Sequence, residues 1–190
     1  TVLRAIAGEA FMPLSYGGRI STLSQAEKVL QLGFEKIFIN SASYNDLELI
    51  RSLVSTFGAQ SVGCCVDIKK NLLFGYSLYS NGSRRKQSID LKQHLEQITA
   101  AGIGEIVIQS MDRDGSQKGF DIDLIKFVSE NTTVPIVACG GAGSLDDLAK
   151  AVKLGGASAV GAGSLFSFFG AHNAVLINYP EREKLEELLP

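Results

Sequence analysis

The sequence predicts an α/β fold in which parallel β-strands alternate with helices in one domain, residues 1–190. Short and almost continuous apolar runs recur along the chain, as strands buried on both faces of a parallel sheet require. Amphipathic helical patterns separate these runs, and polar or glycine-rich residues end them. A strand–glycine loop–helix unit also occurs twice, around Gly17-Gly18 and Gly140-Gly141, which indicates an internal repeat.

The composition is that of an ordinary globular protein, with 45% hydrophobic and 20% charged residues. A formal net charge of −2 gives no electrostatic reason to expect nucleic acid or an acidic membrane surface as a partner. The apolar runs are too short to span a bilayer. Three cysteines without metal-ligand spacing argue against both a metal site and a disulfide framework. We therefore expect a cytoplasmic protein that needs no metal or cofactor.

The expected elements follow in order from these patterns. Runs rich in β-branched residues predict strands at 11–15, 36–40, 61–67, 105–110, 134–139 and 157–163. Apolar stripes at three- and four-residue spacing predict helices at 24–32, 44–57, 90–101, 121–131 and 145–154. After the third strand, residues 72–79 and Asn81-Gly82 predict a small inserted hairpin. We expect the basic run 84–86 that follows it to be a solvated loop.

The strand ends are spaced almost regularly, which favours a closed (βα) barrel over a doubly wound sheet. Six strands do not make the eight that such a barrel needs. If the first glycine loop follows strand three and the second follows strand seven, residues 1–10 are the tail of the second helix. The sequence thus predicts a (βα)8 barrel of the TIM type that lacks about its first two βα units. We expect its free edges to be completed by a longer natural protein or by self-association.

Enzymes with this fold place their chemistry at the carboxyl ends of the strands. Asp67 ends the third predicted strand and is a candidate general acid or base, although a loop cap or an ion pair explains it equally well. Asp112 and Asp114 could orient a substrate, and the Gly115 amide could bind phosphate, but the same pattern also forms ordinary turns. The two glycine loops, each before a helix N-terminus, predict a ligand with two phosphates.

Other conspicuous residues have plainer interpretations. Cys139 is expected to be a buried, neutral thiol rather than a nucleophile. His94 lies within a predicted helix and His172 in a late loop, and both are expected to be structural or surface residues. Lys36 and Glu105 each precede a strand, at the end opposite the expected active site, and are typical of solvated positions where a strand begins.

Four segments, residues 39–42, 66–69, 110–115 and 138–143, carry a resemblance that extends over essentially the whole chain. The chain resembles the cyclase subunit of imidazole glycerol phosphate synthase and its relatives in surface-polysaccharide synthesis, a family of two-fold repeated (βα)8 barrels. The resemblance implies a lyase that takes ammonia from a glutaminase partner. Its substrate would be a two-phosphate ribulosyl aminoimidazole nucleotide, and its products imidazole glycerol phosphate and an aminoimidazole carboxamide ribotide.

The resemblance also implies roles for single residues. Asp67 matches a catalytic aspartate and Asp114 a supporting one, and Asp112 is expected to take part in substrate binding. Lys36 and Glu105 match two charged residues at the bottom of the barrel, where ammonia enters. One phosphate site is implied at Gly17, Gly18, Asn40 and Ser41, and the other at Gly115, Gly141, Gly163 and Ser164.

The chain departs from the family pattern at several points. Arg19 stands where the family has a third glycine, Cys139 replaces a serine and Gln109 replaces a threonine. Residues 166–180 resemble the surface-polysaccharide relatives, which are expected to help add an acetamidino group to a sugar. The first-strand catalytic aspartate would belong to the lacking units. An inactive phosphate-binding barrel fragment is therefore a third alternative, beside the histidine-pathway cyclase and the surface-sugar relative.

Overall fold

The structure is a computed structural model, and it describes residues 2–73, 75–80, 82, 84–169 and 174–189. Asn81 of the predicted hairpin and His172 lie outside these ranges. The described strands are β1 (Ser15–Tyr16), β2 (Lys36–Ile39), β3 (Val62–Lys70), β4 (Tyr76–Ser80), β5 (Arg85–Lys86), β6 (Glu105–Ser110), β7 (Ile136–Cys139), β8 (Ala159–Gly161), β9 (Phe168–Phe169) and β10 (Ala174–Val175).

The described helices follow the predicted pattern, with additional short ones late in the chain. They are α1 (Val2–Glu9), α2 (Leu23–Gln31), α3 (Leu47–Phe57), α4 (Leu91–Ala100), α5 (Ile122–Glu130), α6 (Leu145–Lys153), α7 (Ser164–Ser167) and α8 (Arg182–Leu188). Two 3-10 turns, Ser41–Tyr44 and Ala59–Ser61, flank α3. No helix within the described ranges is long and apolar enough to cross a membrane.

Parallel pairing joins six of these strands into one curled sheet in the order β1-β2-β3-β6-β7-β8. Helices α2 to α6 connect successive strands of this sheet, as parallel pairing requires. The arrangement is a partial (βα)8 barrel, so the predicted fold class is confirmed.

The first predicted strand, residues 11–15, is wrong in its extent. Pairing with β2 begins only at Leu14, whose carbonyl accepts a hydrogen bond of 2.8 Å from the Glu35 amide. Phe11 and Met12 lie outside the sheet and are exposed. The reason is Pro13, which has no amide hydrogen to donate and separates these apolar side chains from the ladder.

The second predicted helix, residues 44–57, also begins later than expected. Its first residues belong to the turn Ser41–Tyr44, and α3 starts after Asp46. The Asp46 carboxylate accepts a hydrogen bond of 2.9 Å from the Leu49 amide, which caps the helix and ends the preceding turn.

The inserted hairpin is confirmed, with its strands placed later than the apolar pattern suggests. β4 pairs antiparallel with the carboxyl half of β3, and β5 pairs with β4. This pairing extends β3 to Lys70, beyond the predicted end at Asp67. Leu72 and Leu73 lie in the intervening turn, where both side chains are exposed.

The two faces of the sheet have different surroundings because alternate residues of a strand point to opposite sides. The outer face is buried against the helices by side chains that include Ile37, Ile39, Val66, Ile106 and Ile108. On the inner face, one row of residues from four neighbouring strands lies in register. Asp67 of β3 pairs with Gln109 of β6, which pairs with Cys139 of β7, which pairs with Gly161 of β8.

A buried polar network holds the loop that follows β2. The His94 side chain of α4 has 0% exposure, and its Nε2 lies 3.3 Å from the Ser43 hydroxyl. That hydroxyl donates to the Asn40 carbonyl at 2.7 Å, so it accepts from a protonated Nε2. The Tyr44 ring stacks on the imidazole at 4.2 Å between centroids. His94 is therefore a structural residue, as predicted, and it supports the 3-10 turn beside Asn40.

Acid should destabilise the chain through His94, because burial lowers the pKa of this side chain to about 4. Between the unfolded pKa of about 6.5 and that value, the unfolded state binds the proton first, so stability falls as pH falls. The loss amounts to about 3 kcal/mol over the window. Urea unfolding from pH 7 to pH 4 measures it. His94→Gln should flatten the dependence while His172→Gln preserves it, and equal slopes for wild type and H94Q would contradict the prediction.

The edges of the described sheet predict self-association of the 190-residue chain. β1 pairs within the described residues with β2 alone, and β8 with β7 alone, which leaves backbone donors and acceptors at both edges. Sedimentation velocity at tens of micromolar is expected to show dimers or larger species. Phe11→Ser with Met12→Ser, beside β1, should reduce them more than Leu72→Ser with Leu73→Ser. A monodisperse monomer is the opposing result.

Candidate active site

Two cavities open at the carboxyl ends of the parallel strands, where barrel enzymes place their chemistry. The first cavity, of about 880 Å³, lies beyond β1, β2 and β3. The second, of about 390 Å³, lies beyond β6, β7 and β8. Of the predicted site residues, the first cavity is lined by Gly17, Gly18, Asn40, Ser41 and Asp67, and the second by Asp114, Gly115, Gly141, Gly163 and Ser164.

The second glycine loop needs glycine at both positions. Gly140 and Gly141 have φ of +90° and +112°, a region that side chains rarely adopt. A Cβ on Gly140 would lie 2.6 Å from the Ser110 carbonyl oxygen, and one on Gly141 would lie 2.3 Å from the Gly119 carbonyl oxygen. The loop is thus packed directly against the backbone of the segment that follows β6.

The first glycine loop has a different backbone although its sequence is similar. Its left-handed residue is Arg19, with φ of +53°, rather than either glycine. Both loops lead into capped helices. Thr22 accepts from the Gln25 amide at the start of α2, and Ser144 accepts from the Asp147 amide at the start of α6. Each cavity therefore lies next to a helix N-terminus, which favours an anion.

Asp67 lies at the inner face of β3, with 8% exposure, and its carboxylate lines the first cavity. Its neighbours stay neutral near pH 7. Burial, and then the negative charge of Asp67, raise the pKa of the Cys65 thiol to about 12. Burial, and then the charges of Cys64 and Asp67, raise the pKa of the Tyr44 hydroxyl above its ordinary value. The Cys65 thiol and the Tyr44 hydroxyl are therefore poorly suited to exchange a proton at neutral pH.

Asp112 is not brought into either cavity. Its Oδ2 accepts a hydrogen bond of 2.7 Å from the Lys70 amide, which ties the loop after β6 to the end of β3. The antiparallel extension of β3 puts this backbone donor within reach of the carboxylate, and the expected part of Asp112 in substrate binding stays a prediction. Asp114, two residues later, lines the second cavity.

Cys139 lies at the end of β7 and lines the second cavity, half-buried. Burial raises the pKa of its thiol, opposed by a backbone hydrogen bond from Gly161 and assisted by the charge of Asp114. The thiol is therefore neutral rather than an activated nucleophile, which agrees with the sequence-based expectation. Within the described ranges, no cluster of His, Cys, Asp or Glu side chains is arranged to hold a metal ion.

Lys36 and Glu105 lie at the opposite end of the sheet and form an ion pair. The Lys36 Nζ is 3.0 Å from Glu105 Oε1, across the intervening strand β3, and both side chains are partly buried. The curl of the sheet brings β2 and β6 together over β3, so the two residues are paired rather than simply solvated where their strands begin. Their role at the ammonia entrance, which the resemblance implies, stays a prediction. Between this pair and Asp67 lies the ring of Phe38, which occupies the space that a Cβ on Gly63 would need.

Sequence reasoning missed Phe38 and Arg84, both of which line the first cavity. Phe38 could have been found from its spacing, since it lies two residues from both Lys36 and Asn40 on the same strand face. Arg84 was expected in a solvated loop, and no local pattern distinguishes it from Arg85. Arg84 reaches the cavity because the hairpin that carries it pairs with β3.

The comparisons with known proteins agree with this geometry. The family described as "Histidine biosynthesis protein" matches residues 1–173. The chain is 48% identical over 188 residues to a Pseudomonas aeruginosa protein named "Putative imidazole glycerol phosphate synthase subunit hisF2", covering 97% of this chain and 74% of that protein.

Two further relatives carry similar names. A Vibrio vulnificus protein named "Putative imidazole glycerol phosphate synthase subunit hisF3" is 42% identical over 192 residues, with 98% of this chain and 74% of the relative covered. A Leptospira interrogans protein named "Putative imidazole glycerol phosphate synthase subunit HisF" is 41% identical over 188 residues, with the same coverage of 98% and 74%. By its curled parallel sheet, its two glycine loops and these matches, the chain belongs to the histidine-biosynthesis family of barrels, with the cyclase subunits of imidazole glycerol phosphate synthase.

Proposed function

We propose that the chain is the cyclase component of an enzyme that combines ammonia with a two-phosphate ribulosyl aminoimidazole nucleotide to form imidazole glycerol phosphate. The observation that carries the proposal is the arrangement of charged residues at the two ends of the sheet's inner face. The Lys36–Glu105 ion pair lies at its amino end, and Asp67 lies at its carboxyl end, where it lines the first of two glycine-rimmed cavities.

The two cavities suit the two ends of such a substrate. Each is bordered by glycines next to a capped helix N-terminus, which supplies backbone amides and a favourable dipole for a phosphate. In the first cavity the phosphate site is formed by Gly17, Gly18, Asn40 and Ser41. In the second cavity it is formed by Gly115, Gly141, Gly163 and Ser164.

The inner-face row from Asp67 to Gly161 links the two cavities, so a substrate held at both ends would cross these residues. Addition of ammonia, cleavage and ring closure each need protons to be moved. Asp67 is the proposed general acid and base, since it lines the cavity and its thiol and phenol neighbours are neutral. Asp114 supports the reaction from the second cavity.

Ammonia is proposed to come from a glutaminase that docks at the amino ends of the strands. The ion pair between Lys36 and Glu105 would border its entrance, and the path toward Asp67 would then pass the ring of Phe38. We further propose that the enzyme works in the cytoplasm as a lyase of histidine biosynthesis.

A second candidate is the surface-polysaccharide relative, which would help add an acetamidino group to a sugar. The region after Leu165 favours it, since residues 166–180 resemble the surface-polysaccharide relatives more than the histidine-pathway enzyme. There β9 and β10 pair as a short antiparallel ribbon beyond Ser164 of the second cavity, and Phe166 contacts Tyr179 at 4.9 Å between ring centroids. A fragment that binds phosphate without turnover is the third possibility.

Asp67→Asn should reduce ammonia-dependent formation of imidazole glycerol phosphate by about a hundredfold or more, because a general acid and base contributes that much to rate. The assay uses the natural gene product that contains these 190 residues, beside the 190-residue chain itself. Asp146→Asn, an exposed carboxylate on α6, is the matched control.

Each result of this assay decides between the candidates. A wild-type protein that forms no imidazole glycerol phosphate refutes the histidine-pathway proposal and favours the surface-sugar relative or the inactive fragment. An active enzyme whose D67N variant keeps its rate shows that Asp67 is not the proton-transfer group.

Lys36→Ala and Glu105→Gln should lower the glutamine-dependent rate several-fold while leaving the rate with saturating ammonium salt nearly unchanged. The reason is that free ammonia can reach the cavity from the open carboxyl end, whereas ammonia made by the partner must pass the ion pair. Steady-state assays with each nitrogen source give the ratio of the glutamine-dependent rate to the ammonium-dependent rate. Arg51→Met, which breaks an exposed ion pair with Glu48, is the control. Equal losses with both nitrogen sources would contradict an entrance role.

A further inference from the structure

The first cavity contains two cationic side chains that the implied phosphate site does not include. Arg19 follows the glycine pair after β1, and Arg84 comes from the loop between β4 and β5. Within the described part of the chain, neither guanidinium is paired with a carboxylate. The acidic side chain among the described lining residues is Asp67, so the lining has a net positive charge.

The backbone of Arg19 is strained, which makes its presence in the cavity more informative. Its φ of +53° is in the left-handed region, where glycine would fit without the steric cost of a Cβ. Strained backbone is found preferentially where a side chain serves binding or catalysis.

The second cavity also has a left-handed non-glycine residue in its lining, Gln117 with φ of +54°, but it lacks the cationic side chains. Among its described lining residues there is no lysine or arginine, and its charged side chain is Asp114. Its anion-binding groups are backbone amides and the Ser164 hydroxyl. The two cavities are therefore unequal in charge and in size, at about 880 and 390 Å³, although both belong to the same internal repeat.

We propose that Arg19 and Arg84 bind the phosphate group in the first cavity through their guanidinium groups. Guanidinium groups match phosphate oxygens in geometry and make charge-assisted hydrogen bonds about twice as strong as neutral ones. That a substrate phosphate is held here rests on the proposed function, whereas the contact with phosphate itself does not.

The test titrates inorganic phosphate into the isotopically labelled chain at low salt and follows backbone amide signals by NMR. The Gly18 amide reports on the first cavity and the Gly163 amide on the second. Arg19→Gly and Arg84→Gln should each raise the dissociation constant at Gly18 about tenfold or more, the usual effect of losing a charged hydrogen bond. The constant at Gly163 should not change.

Two variants and one stability measurement control for structural effects. Arg19→Lys keeps the charge and the backbone strain but loses the planar fork, so its affinity should lie between those of wild type and R19G. Arg85→Gln removes a neighbouring exposed charge outside the cavity and should bind as wild type does. R19G should unfold at the same temperature as wild type or higher, because glycine relieves the strain.

The outcomes separate this inference from the proposed function. Wild-type affinity at Gly18 in either R19G or R84Q, or no saturable response at Gly18 in the wild-type chain, overturns it. A chain that binds phosphate through both arginines yet forms no imidazole glycerol phosphate supports the contact and refutes the cyclase. An active cyclase whose R19G or R84Q variant binds phosphate normally supports the cyclase and refutes the contact.

Discussion

The parallel register of β3 with its neighbours is the constraint on which the rest of the molecule depends. β3 pairs with β2 on one side and β6 on the other, and this register aligns Phe38, Gly63 and Glu105 in one row of the inner face. Four residues further along β3, the same register aligns Asp67 with Gln109. A shift by one residue would send every one of these side chains to the helix-covered face.

The two rows differ in chemistry because they lie at opposite ends of the strands. At the amino end, Lys36 and Glu105 are partly buried and satisfy each other's charge across β3. At the carboxyl end, Asp67 borders the first cavity, and burial keeps the nearby Cys65 thiol neutral. Between the ends, Gly63 leaves room for the Phe38 ring, since a Cβ there would lie 2.3 Å from a ring carbon. The packing between the two ends of the inner face therefore depends on a small residue, Gly63, beside a large one, Phe38.

Much of the fold was predictable from local pattern. Almost continuous apolar runs located the parallel strands, and amphipathic stripes located the helices between them. The repeated glycine loop led to the assignment of strands three and seven. The errors have local physical causes. Pro13 keeps Phe11 and Met12 out of the sheet, and Asp46 caps α3 later than the apolar stripe suggests. The antiparallel pairing of β4 extends β3, which no residue of β3 itself indicates.

The sequence by itself determined the class of fold, the family and the order of strands and helices, because these depend on periodicity and short motifs. Only the tertiary structure decided which residues meet. It joined Lys36 to Glu105, withdrew Asp112 into a backbone contact with Lys70, and brought Arg84 to the cavity of Arg19. The physical reason is that strand register and sheet curl act between segments far apart in the chain, where local preference carries no information.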